Sequence, residues 1–201
     1  MSDEVIEMIV TYTNLYAAQN NAPSLLVTIE EVYCVLRVLY LSGYIPLPRK
    51  PMYWEQSDDV HDILVSKSIR RNRFNDILRY FHLCDNTDLS RGEPGDKMAK
   101  IRGFIEIMNR NFLLNAPNET NLSVDESMIP YFGRHGCRQF IKGKPIRFGY
   151  KAWTMAQKHG YCLQADIYQG KGSDSRPKGV TLGEKVVLDF CDIVCKAQCA
   201  F

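Results

Sequence analysis

Asp125 is the first residue in this sequence that offers chemistry. It follows Leu122, Ser123 and Val124 in a run of β-forming residues, and a carboxylate on a strand must find a partner or meet water. Read on its residues alone, Asp125 is either a strand-end aspartate that turns the chain or a metal ligand. Downstream the charge becomes one-sided. Between Ser127 and Ala165 there is no Asp or Glu, while Arg134, Arg138, Lys142, Lys144, Arg147, Lys151 and Lys158 all fall there. Such a stretch attracts polyanions, because Lys and Arg contacts to phosphates release condensed counterions. Tyr131, Phe132, Phe140, Phe148 and Tyr150 interleave with the cations, and Gly133, Gly136 and Gly143 let backbone approach a phosphodiester. A solvated basic hairpin with its aromatics in a core is the competing reading.

Cys191, Cys195 and Cys199 recur every four residues, which puts them on one stripe if a helix continues through them. A zinc or cluster site would draw on that stripe, but the paired Cys-x-x-Cys spacing of structural zinc sites is absent, so small buried hydrophobes or an unrelated alternative end are the preferred readings. His61, His82, His135 and His159 are dispersed and read as satisfied or solvent-facing imidazoles.

The elements that position these residues change character along the chain. Asp3 to Tyr16 places Ile6, Ile9, Val10 and Tyr12 or Thr13 at helical spacing. Thr28 followed by Glu31 is a capping box for a helix with an apolar stripe of Val32, Leu36, Leu39 and Tyr40, ending at Gly43. Three prolines between Ile45 and Pro51 make a connector. The run from Ser68 or Ile69 to Leu83 reads as a basic amphipathic helix, and 88–96 as a loop holding Gly92, Pro94 and Gly95. Asp96 then caps a helix through Phe112. Near Asn115 the period changes. Asn121 to Ile129, Arg147 to Gln157 and Tyr161 to Gly170 read as three strands, and a helix resumes at Gly183. The expected class is α+β, helices first and then a sheet that a helix begins to cover.

The totals exclude little. The 201 residues carry a net charge of +2, so charge speaks through its placement and not its sum. No apolar run reaches the roughly 18 residues of a membrane span, the opening MSDEVIEMIV lacks a basic region ahead of an apolar one, and seven scattered cysteines do not form a disulfide framework. A soluble intracellular protein with reduced thiols is expected.

Taken in order, Leu122-Ser-Val-Asp125-Glu-Ser-Met, Phe132-Gly-Arg134, Cys137-Arg138-Gln-Phe-Ile, Lys144-Pro145, Phe148-Gly149-Tyr150-Lys151 and Tyr168-Gln-Gly-Lys171 resemble the start of the catalytic domain of piggyBac transposases and their domesticated relatives. Upstream, Ser68-Ile-Arg-Arg-Asn-Arg73 through His82 and Asp96-Lys-Met-Ala-Lys-Ile-Arg102 resemble the helical domain before it, and Gly179-Val-Thr-Leu-Gly183-Glu its continuation. The resemblance spans Ile6 to Phe190.

It implies a helical domain over 1–115 resembling the dimerisation and DNA-binding region, the first part of an RNase H-like (DDE transposase) core of three strands and a helix over 116–190, and a divergent cysteine-containing tail over 191–201. It also implies three aspartates and two divalent metals, magnesium in kind, cutting DNA by in-line attack and joining it at TTAA targets. Asp125 matches the first aspartate, as catalytic residue and metal ligand. Glu126, its neighbour on a strand, points to the other face. The second aspartate of the family follows the helix near Gly183 and the third lies further on. Asp166 matches neither, and Asp189 and Asp192 fall on the expected helix. The expectation is therefore a piggyBac transposable element-derived protein, nuclear, catalytically incomplete and without stably held magnesium. It binds DNA weakly through its backbone by Arg134, Arg138, Lys142, Lys144, Arg147 and Lys151, and forms a homo-oligomer, with no membrane and no small-molecule substrate. The alternatives are an active transposase or endonuclease in a longer form, and an interaction module without catalysis.

Overall fold

A computed structural model of the chain describes residues 2–57, 62–91, 96–170 and 179–198. His61, the Gly92, Pro94 and Gly95 of the expected loop, Lys171 and Cys199 lie outside the described residues. The described residues divide into two compact units, one up to Ser90 and one from Arg91.

The first unit is helical: α1 (Asp3–Gln19), α2 (Ile29–Tyr44), α3 (Ile63–Ser68) and α4 (Arg71–Tyr80). Val5, Ile6, Ile9, Thr13 and Ala17 bury one face of α1, and α2 and α4 pack on that helix. The Thr28–Glu31 capping box forms as the residues predict. Glu31 has a second partner, a bidentate Arg73 at 2.6 and 2.7 Å, which holds its carboxyl below the usual range. Arg73 also donates to the Leu26 carbonyl, so this arginine of the basic helix is a structural brace. The buried stripe of α2 is Val32, Val35 and Val38, while Leu39 and Tyr40 are exposed. An apolar helix such as this carries several plausible stripes, and packing selects one. The expected basic helix forms as α4 and is shorter at both ends, because Ile69 and Arg70 are extended before it and it stops at Tyr80; α3 precedes the expected span.

The second unit holds α5 (Ala99–Leu114), β1 (Leu122–Pro130), β2 (Arg138–Phe140), β3 (Phe148–Gln157), β4 (Cys162–Ile167) and α6 (Leu182–Gln198). The class is α+β as expected, with four strands instead of three. The added strand, β2, has three residues, too few for a period-two signal to appear in sequence. The long strand β3 is the spine, antiparallel to β1 on one side and to β2 and β4 on the other. Gly149 is fixed by this arrangement, since a Cβ there would stand 2.0 Å from the Ile129 carbonyl oxygen.

The change of period at Asn115 groups α5 with the helices before it, but α5 packs on β4. The Asn109 amide bonds both backbone groups of Ala165 at 2.9 and 3.0 Å, and the Tyr161 hydroxyl donates to the Phe112 carbonyl at 2.9 Å. Asp96 does not cap this helix, whose N-cap is Met98. On one face of the sheet Met155 and Leu163 meet Phe190 and Val194 of α6, with Val124 and Trp153 at the margin. A capping box of Thr181 and Glu184 starts α6.

Candidate active site and nucleic-acid interface

Cross-strand partners share a sheet face, so the register sorts the candidate residues. Asp125 pairs with Thr154, Ser127 with Ala152 and Ile129 with Tyr150, while Arg138 also pairs with Tyr150 and Phe140 with Phe148. These residues occupy one face. Val124 pairs with Met155, Glu126 with Trp153 and Met128 with Lys151, and they occupy the face that α6 covers. Asp125 and Glu126 therefore point opposite ways.

Asp125 is exposed. Its Oδ1 accepts the Glu126 amide at 2.7 Å, and the Thr154 hydroxyl donates to its carbonyl at 3.2 Å. Two magnesium ions prefer several oxygen ligands, and Asp125 alone does not fit such a centre. Among the described residues no group of three or more His, Cys, Asp or Glu is placed to hold a metal ion.

The basic residues lie mainly at the end of the sheet where β1 finishes and β3 begins. Arg134 is exposed in the loop after β1, Lys142 in the hairpin between β2 and β3, and Arg147 immediately before β3. Ile141 closes that hairpin by donating to the Arg147 carbonyl at 3.0 Å. Arg138 donates to the Gly133 carbonyl at 3.0 Å and lies 5.7 Å from the Phe148 ring centre. The loop is anchored by Cys137, fully buried, and burial pushes that thiol up.

Lys144 and Lys151 behave differently. Both meet Glu126, at 3.5 and 3.8 Å, and the Lys151 ammonium stands 3.9 Å from the Trp153 ring centre. A stretch without acids in sequence thus receives one from the preceding strand.

The sequence reading gave no role to Gln169, although it lies in the Tyr168-Gln-Gly motif. Its amide donates to Asp96 at 2.8 Å and accepts the Lys97 amide at 2.9 Å. Asp96 also accepts from Arg102 at 2.9 Å, and that hydrogen bond is the main reason its carboxyl lies below the usual range. The two motifs interlock. Asp166 lies on the covered side, 3.7 Å from Arg102, in a cleft that Trp153, Lys185 and Asp189 also line. Partial desolvation by its neighbours raises its pKa although its side chain remains half exposed, and the register separates it from Asp125. Cys191 and Cys195 are exposed on α6, which overturns their reading as buried hydrophobes.

Residues 1–198 match the family model described as transposase IS4. The chain is similar to human PiggyBac transposable element-derived protein 3, 46% identical over 98% of this chain and 33% of that protein. Human PiggyBac transposable element-derived protein 2 is 43% identical over 93% of this chain and 31% of its own length. The chain spans about a third of the length of these relatives. A piggyBac transposase solved by cryo-electron microscopy as a synaptic complex with hairpin DNA has the same fold, with TM-score 0.77 at 23% identity, over 94% of this chain and 40% of that one.

Proposed function

Because the chain belongs to the transposase IS4 family, among the piggyBac transposable element-derived proteins, we propose that its second unit begins an RNase H-like DNA-processing domain. Asp125 is the first carboxylate of that domain, and the loops after β1 and between β2 and β3 hold DNA. The observation that carries this reading is the shared face: Asp125 is exposed on the side of the sheet that also presents Arg138, about 13 Å further along the strands at the usual rise per residue. Arg134, Lys142 and Arg147 flank that end. Contacts of this kind neutralise phosphates and carry no sequence information. Lys144 and Lys151, balanced by Glu126, contribute less.

A two-metal centre needs carboxylates beyond Asp125, and this 201-residue chain supplies one that matches the family pattern. To these 201 residues taken by themselves we assign DNA binding without cleavage, together with a place in the nucleus and self-association. Among the described residues no helix is long and apolar enough to cross a membrane.

The test is a titration of the purified chain with labelled duplex DNA at several salt concentrations, with magnesium present. Affinity should fall steeply with salt, and the quadruple change Arg134→Gln, Arg138→Gln, Lys142→Gln, Arg147→Gln should flatten the slope by about three to four. The DNA should remain uncut. Absence of binding at low salt, or cleavage that Asp125→Ala abolishes, would reject the corresponding half of this reading.

A further inference from the structure

We propose, on the reading that the basic loops hold DNA, that Phe132, Phe140 and Phe148 stack on unpaired bases. The chain then prefers DNA with splayed or single-stranded bases over intact duplex. Backbone contacts need only cations and hydrogen-bond donors, so they leave three exposed rings unexplained. Phe132 is 83% exposed, Phe140 58% and Phe148 42%, and apolar patches left in water mark binding sites.

The rings are arranged and not scattered. Phe140 and Phe148 are direct cross-strand partners, with ring centres 4.8 Å apart and planes tilted by 37°. The Arg138 guanidinium lies over the Phe148 ring and donates to the carbonyls of Gly133 and Phe132. One cation therefore fixes the Phe132 backbone beside the Phe140–Phe148 pair. The neighbouring Tyr131 and Tyr150 rings pack on each other 4.8 Å apart and are half-buried, so they serve the fold and leave the phenylalanines to solvent.

Charge complementarity selects the occupant. No carboxylate among the described residues forms an ion pair with Arg134, Arg138, Lys142 or Arg147. Four cations around three flat rings suit a polyanion that offers flat faces, and the same patch on a second copy would be repelled. In an intact duplex the base faces are stacked on each other. Unpaired bases expose them, and aromatic stacking then tolerates any sequence.

The experiment compares a labelled duplex with the same duplex interrupted by a short single-stranded gap, using fluorescence anisotropy and the 201-residue chain. The gapped form should bind at least about fivefold to tenfold tighter, the low end of the range expected for one stacked base. Phe132→Leu keeps an apolar side chain but removes the ring, and should cut that ratio at least threefold. Phe132→Trp should restore it and lose indole emission on the gapped DNA. Phe132 is too exposed for its replacement to disturb a core, and circular dichroism checks this. A ratio near one in the parent chain, with duplex binding intact, overturns the stacking proposal alone. Loss of all DNA binding overturns it together with the reading beneath it. A ratio unmoved by Phe132→Leu, with a dimer that Phe132→Leu dissociates, assigns the rings to self-association and also overturns it.

Discussion

Glu126 and Lys151 stand with carboxylate and ammonium 3.8 Å apart on the helix-covered side of the sheet, and Lys144 reaches the same carboxylate at 3.5 Å. The acid that precedes the basic stretch is folded back onto it. Glu126→Gln should therefore strengthen DNA binding, by about twofold to tenfold at low salt, and steepen the salt slope by about one. Anisotropy titrations at several salt concentrations read both. An unchanged slope would mean that Lys144 and Lys151 face away from bound DNA. The loss of stability should be small, about 1 kcal/mol or less, as for partly exposed pairs.

Gly149 admits no side chain, because a Cβ would meet the Ile129 carbonyl oxygen at 2.0 Å and the strands cannot separate without breaking their ladder. Gly149→Ala should destabilise the second unit by about 2 to 4 kcal/mol. Urea denaturation followed by circular dichroism and tryptophan emission measures this. A change below about 0.5 kcal/mol would show that the β1–β3 pairing adapts to the methyl group.

Asp96 ties Arg102, Gln169 and the Met98 amide together. Its folded-state pKa is depressed, chiefly by the Arg102 hydrogen bond, so its stabilisation is present above the unfolded value of about 3.9. That stabilisation is lost as pH falls through the lower folded value. Asp96→Asn should cost about 1 to 3 kcal/mol at neutral pH, and the gap to the parent should close below about pH 4. Urea midpoints across that range check the sign. A gap that stays constant with pH would remove charge from the explanation.

β1 pairs with β3 alone among the described residues, and its other edge presents unpaired backbone groups, a template for another chain. Hydrogen exchange read by mass spectrometry should find β1 less protected than α1, α2 and α4, whose backbone hydrogen bonds close within each helix. Sedimentation should find self-association. Uniform protection in a monodisperse monomer would contradict both.

Asp125 makes no buried contact, so a purely structural aspartate there has little to do. Asp125→Ala should leave the melting temperature of the chain nearly unchanged, within about 0.5 kcal/mol of stability, as calorimetry can establish. A large loss would turn Asp125 back into the turn-forming aspartate of the competing sequence reading.

The sequence by itself determined what is local or periodic. The Thr28–Glu31 capping box spans three residues, so the same pattern that suggests it also builds it. Alternation and β-forming residues located β1, β3 and β4, and the ordered motifs around Asp125 located the family. What only the tertiary structure decided is which groups separated along the chain come together. Arg73 and Glu31 are 42 residues apart, Gln169 and Asp96 73 apart, and nothing in either local segment names its partner. A period states which residues share a face but not which face is covered. For that reason the stripe of α2, the allegiance of α5 to the sheet and the exposure of Phe132, Phe140 and Phe148 all waited on packing. Glu126 shows the same division: alternation turned it away from Asp125, and only the fold of the following hairpin brought Lys144 and Lys151 to it.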